Sequence, residues 1–367
     1  MRETDRLAAF IRKNPWEFGI LVVVLTFFTL MTAGFTTWNG FPAGDITLHI
    51  SYAEIYAGKG CALLAPFAFP NVNYGIPYPP LFHLFLAVFI VLGVLQQALV
   101  FLQIFLFPIV LLVSYWVVYK LSDARIATLF LLILACSGAF FDRTEQVTPQ
   151  AIDFICFPLA LYFFRKSKEI PFMLSVLIPV YSHSGYGLLL LAPFAIFSLL
   201  FDYNRNYVKW ALILSLPIII TTIIFIPNAI HYALSESNAQ NLIFKDFFLH
   251  GHFEDAFPFT YIGLTIAAFS IPAVYFSFKF MRKYTRKDAY LFVMSIIFLF
   301  TTIFMVPFFA DRFVSYSAFP LSILIALFLG FVIRNNSFQP AKSLIYLMLI
   351  MLATVSWLVG IQYFLVK

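Results

Sequence analysis

The residues of this chain able to move protons, bind metals or hold anions fall into a few short clusters. The first is Gly44-Asp45-Ile46-Thr47-Leu48-His49. If the segment from Ile46 to Gly58 is an amphipathic helix, Asp45 and His49 are one turn apart and share a face. A carboxylate there can act as general base or metal ligand; it can equally cap that helix. The second cluster, Asp142-Arg143-Thr144-Glu145, is a compact charged turn followed by Pro149, and it also reads as a solvated turn with an internal ion pair. The third is Ala310-Asp311-Arg312-Phe313. A guanidinium at this place can hold a phosphate by two parallel hydrogen bonds, pair with Asp311, or snorkel to an interface. His183, in Tyr181-Ser182-His183-Ser184-Gly185, sits at a tight turn where it can meet a phosphate or a hydroxyl, or simply bond within the turn. His250-Gly251-His252, with Glu254 and Asp255, has only a loose metal-ligand spacing.

Other chemistries leave no trace. No phosphate-binding Walker loop, dinucleotide-binding glycine pattern, HExxH or GxSxG is present, which argues against ATP-driven transport by this chain itself. Cys61, Cys136 and Cys156 form neither a CxxC pair nor a metal spacing and read as small buried hydrophobes. The net charge of +6 gives no reason to expect nucleic acid; its distribution along the chain is the informative property.

The elements that must position these clusters are set by composition. Of 367 residues, 62% are hydrophobic and 11% charged, and 48 are Phe. Soluble domains carry roughly a quarter charged residues, and a water-soluble fold of this size has no interior large enough for so much apolar surface. Lipid as solvent removes the difficulty, and in lipid every backbone polar group needs an internal partner, so the spans are expected to be helices. The apolar runs are continuous, unlike the short alternating segments of a β-barrel. Spans are expected near 18–37, 98–119, 126–141, 150–164, 170–182, 184–201, 209–230, 259–279, 289–308, 315–333 and 343–365.

The stretch 81–95 is apolar enough to cross, but counting it as a span would split the basic turns between two faces. Placed at the outer interface, it leaves every Lys and Arg except Lys59, Arg143, Lys245, Arg312 and Lys367 on one side. The positive-inside rule makes that side cytoplasmic. The expectation is a single all-α polytopic membrane domain over 1–367, with about eleven spans. It has a cytoplasmic N-terminal segment at 1–17, a long first extracytoplasmic loop at 38–95 carrying amphipathic helices, and a second at 231–258. All six histidines then lie on the extracytoplasmic side.

The order of these pieces resembles the GT-C superfamily of membrane glycosyltransferases, and most closely the membrane core of the oligosaccharyltransferase catalytic subunit. The likeness rests on Gly44-Asp45 after the first span and a helix ending in glycine. It continues through Tyr78-Pro79-Pro80-Leu81-Phe82-His83, Asp142-Arg143-Thr144-Glu145 after the third span, a late external loop, and Asp311-Arg312-Phe313 followed by Pro320. The resemblance implies a sugar donor carried on polyprenyl phosphate and membrane lipids as partners, with partner subunits of a glycan assembly system also in view. It makes Asp45 the base or a ligand, with Glu145, for a divalent metal such as Mn²⁺ or Mg²⁺. Asp142 or Glu145 would assist, and Arg312 would hold the carrier phosphate; His49, His183, Arg143 and Tyr78 are further candidates for contact with substrate. The WWDYG peptide-binding motif and the soluble domain of the oligosaccharyltransferase are missing, and the second turn lacks an Asp-x-Asp pair, so a monosaccharide transferase is a better match than a peptide N-glycosylating enzyme. A transporter or flippase of a lipid-linked or anionic solute is the rival expectation, followed by a non-catalytic member of an envelope-polysaccharide assembly complex.

Overall fold

The computed structural model describes residues 15–37, 45–58, 79–135, 137, 140, 147–235, 273–275, 278–279, 281–302 and 310–334. Among these residues there are helices and no strands. The helices are α1 (Pro15–Thr37), α2 (Asp45–Gly58), α3 (Leu81–Val91), α4 (Leu95–Leu121), α5 (Ala124–Ala135), α6 (Pro149–Arg165), α7 (Glu169–Ser182), α8 (Ser184–Phe201), α9 (Arg205–Ser235), α10 (Arg286–Thr302) and α11 (Ala310–Arg334). A 3₁₀ turn, Met281–Lys283, precedes α10. The expected spans at 259–279 and 343–365, and the loop at 231–258, lie largely or wholly outside the described residues.

Two segments, Leu95–Leu121 and Ser315–Arg334 within α11, are long and apolar enough to cross a bilayer. The helix α3 is shorter: its 11 residues extend roughly 16 Å at 1.5 Å per residue, about half a hydrocarbon core. It stops at Gly93, whose φ of +68° suits a residue without a β-carbon. The segment expected at 126–141 also differs, since α5 ends at Ala135.

The main core is rich in aromatic residues. Phe130, Phe157, Phe164, Phe194, Phe298 and Phe319 are almost fully buried and interlock edge to face, as Phe164 does with Phe194 at 5.2 Å and Phe157 with Phe319 at 5.6 Å. The periphery is equally apolar. Leu199, Leu200, Ile220, Ile223 and Ile224 are more than half exposed on α8 and α9, and exposed apolar surface of this extent calls for an apolar neighbour. Hydroxyls turn inward on their own helices: Thr32 donates to the Phe28 carbonyl, Ser175 to Pro171, Ser215 to Ala211 and Ser322 to Ala318, each four residues back. Such self-satisfaction is what side chains need where water is absent.

Helix ends are fixed by local chemistry. Asp123 caps α5 by accepting from the Ile126 amide at 2.9 Å, and Thr285 caps α10 by accepting from Asp288 at 3.2 Å. The last carbonyls of α6 are met from the α8–α9 turn: the Asn204 amide donates to Phe164 and the Tyr203 hydroxyl to Arg165.

One end of the bundle gathers the basic turns. Arg125 lies over the Trp16 ring and Arg165 over the Tyr290 ring. Arg334, at the end of α11, bonds both Asp123 and Asp288, and Ser122 donates to Asp288. These contacts bring the start of α1, the α4–α5 and α6–α7 turns, the start of α10 and the end of α11 to one level. Because neighbouring helices run antiparallel, the start of α6, the α7–α8 turn and the start of α11 share the opposite end.

Candidate functional site

At that opposite end three helices deliver a buried polar group. Pro149 starts α6 at its first position, where a missing N–H costs nothing, and Asp153 follows one turn later with no solvent exposure. His183 forms the joint between α7 and α8. Its amide donates to the Pro179 carbonyl at 2.7 Å, and its own carbonyl accepts from Gly187 at 2.8 Å. Tyr316 comes from the second turn of α11 and is fully buried, with its ring 5.0 Å from that of Phe154.

The three side chains meet on one oxygen. His183 Nδ1 lies 2.6 Å from Asp153 Oδ2, the Tyr316 hydroxyl donates to the same oxygen at 2.5 Å, and Tyr316 Oη lies 3.3 Å from His183 Nδ1. A buried carboxylate is tolerable in an apolar bundle only with donors of this kind. With Asp153 ionised, its Oδ2 accepts from a hydrogen on His183 Nδ1.

A second buried cluster lies alongside. His49 Nδ1 is 2.9 Å from His83 Nε2, and His83 Nδ1 is 3.2 Å from the Pro79 carbonyl. The carbonyl can only accept, so His83 Nδ1 donates; Nε2 of His83 then accepts from His49 Nδ1–H. Tyr52 and Tyr56 face the His83 ring, the latter stacked at 6.3 Å. Burial drives the His83 imidazole down to about 4, against a partial opposing effect of its bond to Pro79, and pushes the Tyr56 hydroxyl up to about 12. The helix α2 places Ile46, His49, Tyr52, Ala53 and Tyr56 on its buried face and leaves Thr47, Ser51, Glu54 and Gly58 outside.

The two clusters are neighbours. Ile152 packs against the small core formed by Ile46, Ala53, Tyr56, Phe82, Leu86 and Leu99, and the next residue is Asp153. The helix α3 also touches α7, the helix that ends at His183.

Of the residues singled out from sequence, His49 and His183 are each brought into a buried hydrogen-bonded group. Asp45 is the first residue of α2, one turn before His49, and Arg312 lies on α11 one turn before Tyr316. Their backbones therefore sit at the same end of the bundle, while their side chains are outside the described set. Asp142, Arg143, Glu145, Tyr78, His250 and His252 lie outside the described residues altogether. Among the described residues no three His, Cys, Asp or Glu side chains are arranged to hold a metal ion, and the expected ligands Asp45 and Glu145 fall outside that set.

Three residues of the site were not singled out. Asp153 had a signal, being the sole acid in the apolar run 149–165. His83 follows directly on the Tyr78-Pro79-Pro80 segment. Tyr316 is one of 19 tyrosines and had none. The far end of the bundle offers a different polar feature, an open cleft of about 500 Å³ lined by Ser122, Asp123, Thr285, Arg286, Lys287, Asp288 and Arg334.

No family model matches the chain, and no curated protein matches its sequence.

Proposed function

We propose that the chain is a multi-pass membrane protein of GT-C type, a glycosyltransferase that takes a sugar from a polyprenyl-phosphate carrier and gives it to an acceptor at the extracytoplasmic face. About eleven spans, a cytoplasmic N-terminus and the histidine-bearing end outside complete the reading. The observation that carries it is the segregation of polar chemistry. Buried Asp153, His183, Tyr316, His49 and His83, with the backbones of Asp45 and Arg312, gather at one end of an otherwise apolar bundle, and the basic turns gather at the other.

In this reading the acceptor hydroxyl is activated or oriented by a carboxylate, with Asp45 first and Glu145 or Asp142 assisting. Arg312 stabilises the charge that grows on the departing carrier phosphate. A divalent ion held by acidic residues of this end would polarise the same phosphate or orient the acceptor. The apolar periphery supplies a bed for the prenyl tail. Membranes containing the chain should transfer labelled sugar from a polyprenyl-phosphate donor, and Asp45→Asn should suppress that transfer. Equal, robust transfer by both proteins would end the assignment of Asp45.

A second reading, a transporter or flippase of a lipid-linked or anionic solute, draws support from one feature: Asp153 is fully buried between helices, and α4, α6, α7, α8 and α11 each contain a proline. Asp153 sits one turn from the end of its helix and not midway along it, which ranks this reading second. Movement of a fluorescent lipid-linked sugar across vesicles, without chemical transfer, is the outcome that would promote it.

A further inference from the structure

We infer that the cleft where the α4–α5 turn meets the start of α10 and the end of α11 is a binding site for a phosphate group, carried either by an anionic lipid or by a soluble phosphate ester. The cleft, of about 500 Å³, is lined by the cations Arg286, Lys287 and Arg334 and by the acids Asp123 and Asp288. The acids already have donors. Asp123 accepts from the Ile126 amide through Oδ1 and from Arg334 through Oδ2. Asp288 accepts from the Ser122 hydroxyl through Oδ1 and from Arg334 through Oδ2. With all four carboxylate oxygens engaged and one guanidinium holding both groups, the cleft offers little to a further cation. Its cations outnumber its acids, and the excess charge is positive.

That excess sits on Arg286 and Lys287. Both are exposed, and among the described residues neither side chain forms an ion pair or a hydrogen bond. They are the first two residues of α10, so their amides belong to the turn for which no intrahelical carbonyl is available. The Thr285 cap takes the Asp288 amide and leaves those two over. The α5 start reaches the same cleft through its cap, Asp123. Two helices therefore begin at one volume, each with the positive end of its dipole. A phosphate can accept from such amides and from a guanidinium together. The Phe278 ring, about half exposed, packs 5.0 Å from that of Phe292 on α10, so apolar surface for a lipid chain adjoins the start of this helix. In the membrane reading this end lies level with the cytoplasmic headgroups, whose anionic phosphodiesters are the nearest source. The lipid source rests on that reading; the phosphate site rests on the cleft and does not depend on sugar transfer.

Full-length protein in neutral detergent, titrated separately with tail-labelled phosphatidylglycerol and with glycerol phosphate, tests the site. Saturable binding is expected, weaker as salt rises, and tail-labelled phosphatidylcholine should bind less well than phosphatidylglycerol. Arg286→Gln/Lys287→Gln should lower the affinity about tenfold, the size expected for two cations near an anionic headgroup. Arg286→Lys/Lys287→Arg keeps both charges and should retain most of it. Lys166→Gln/Lys168→Gln removes the same charge from the α6–α7 turn, outside the cleft, and should change the affinity by less than about twofold. Binding of the lipid alone identifies a headgroup as the ligand; comparable binding of glycerol phosphate identifies a soluble ester. Binding of neither probe would overturn the inference. So would equal weakening by the Arg286/Lys287 and Lys166/Lys168 pairs, which would show only the diffuse attraction of a basic face.

Discussion

A β-carbon on Gly187 would come within 2.4 Å of the carbonyl carbon and oxygen of Pro179, backbone atoms that cannot swing aside. The α7–α8 joint, and with it His183, therefore depends on the absence of a side chain at position 187. Gly187→Ala should force the two helices apart and destabilise the protein by about 3 kcal/mol, the upper range for overpacking. Gly330→Ala provides a graded comparison: its β-carbon would come within 2.9 Å of Ile126 Cγ1, so a side chain, not backbone, has to shift. The helix gains about 1 kcal/mol from Ala over Gly, so the net loss there should be about 1 kcal/mol. Gly58 meets nothing within 4 Å, and Gly58→Ala should stay within about 0.5 kcal/mol. Thermal melts in one detergent check the order; a Gly187→Ala protein as stable as Gly58→Ala would contradict the close approach.

The Asp153 group makes a second ordered series. Tyr316→Phe removes a donor to the carboxylate and should cost about 1–2 kcal/mol. Asp153→Ala removes the acceptor shared by both partners and should cost about 3–5 kcal/mol. Melting temperatures that rank the two the other way would mean that Asp153 is not the centre of the group.

The contrast between what sequence foretold and what it missed follows from the range of the forces involved. Helix positions are local: hydrophobic run length placed α1, α4, α6, α7, α8 and α11 to within a few residues, and the helix from Ile46 to Gly58 was readable as a segment. The α5 end at Ala135 was not, because the apolar run continues to Phe141 with no breaker stronger than Gly138. Site partners are non-local. His183 and Asp153 are 30 residues apart and Tyr316 is 163 beyond Asp153, and no spacing rule links such positions. The pairing of His49 with His83 was hidden for the same reason, although each lies on a helix whose presence the sequence announced.

The His83 imidazole predicts a pH dependence of defined sign. Its folded value is about 4 and its ordinary value 6.5, so between these the unfolded chain binds more protons than the folded one. Stability therefore rises with pH across that window. It is lost as pH falls from about 6.5 towards about 4 and levels off below, a total on the order of 3 kcal/mol. A His83→Gln protein lacks this term. The gap in melting temperature between the two proteins should narrow steadily from pH 7 to pH 4.5, and a constant gap would show that His83 is protonated or exposed in the folded state.

The Arg334 clamp separates two kinds of ion pair held by one guanidinium. Its partner Asp288 is buried at 3% side-chain exposure, whereas Asp123 is 44% exposed. The exposed contact is screened by salt and contributes little. The buried one leaves a carboxylate with only Ser122 if the guanidinium is removed. Arg334→Ala should therefore cost about 1–3 kcal/mol, nearly all of it insensitive to salt. Asp123→Asn should cost less than 1 kcal/mol and lose its effect in high salt. Arg334→Lys should recover only part of the loss, because a single ammonium cannot reach two carboxylates with the fixed fork of a guanidinium. In the double variant Arg334→Ala/Asp288→Asn the loss should fall well short of the sum of the singles, since the unpaired buried charge disappears with its partner. Strict additivity in that cycle would mean that the end of α11 is held at this level by packing against α5 and α10 and not by the clamp.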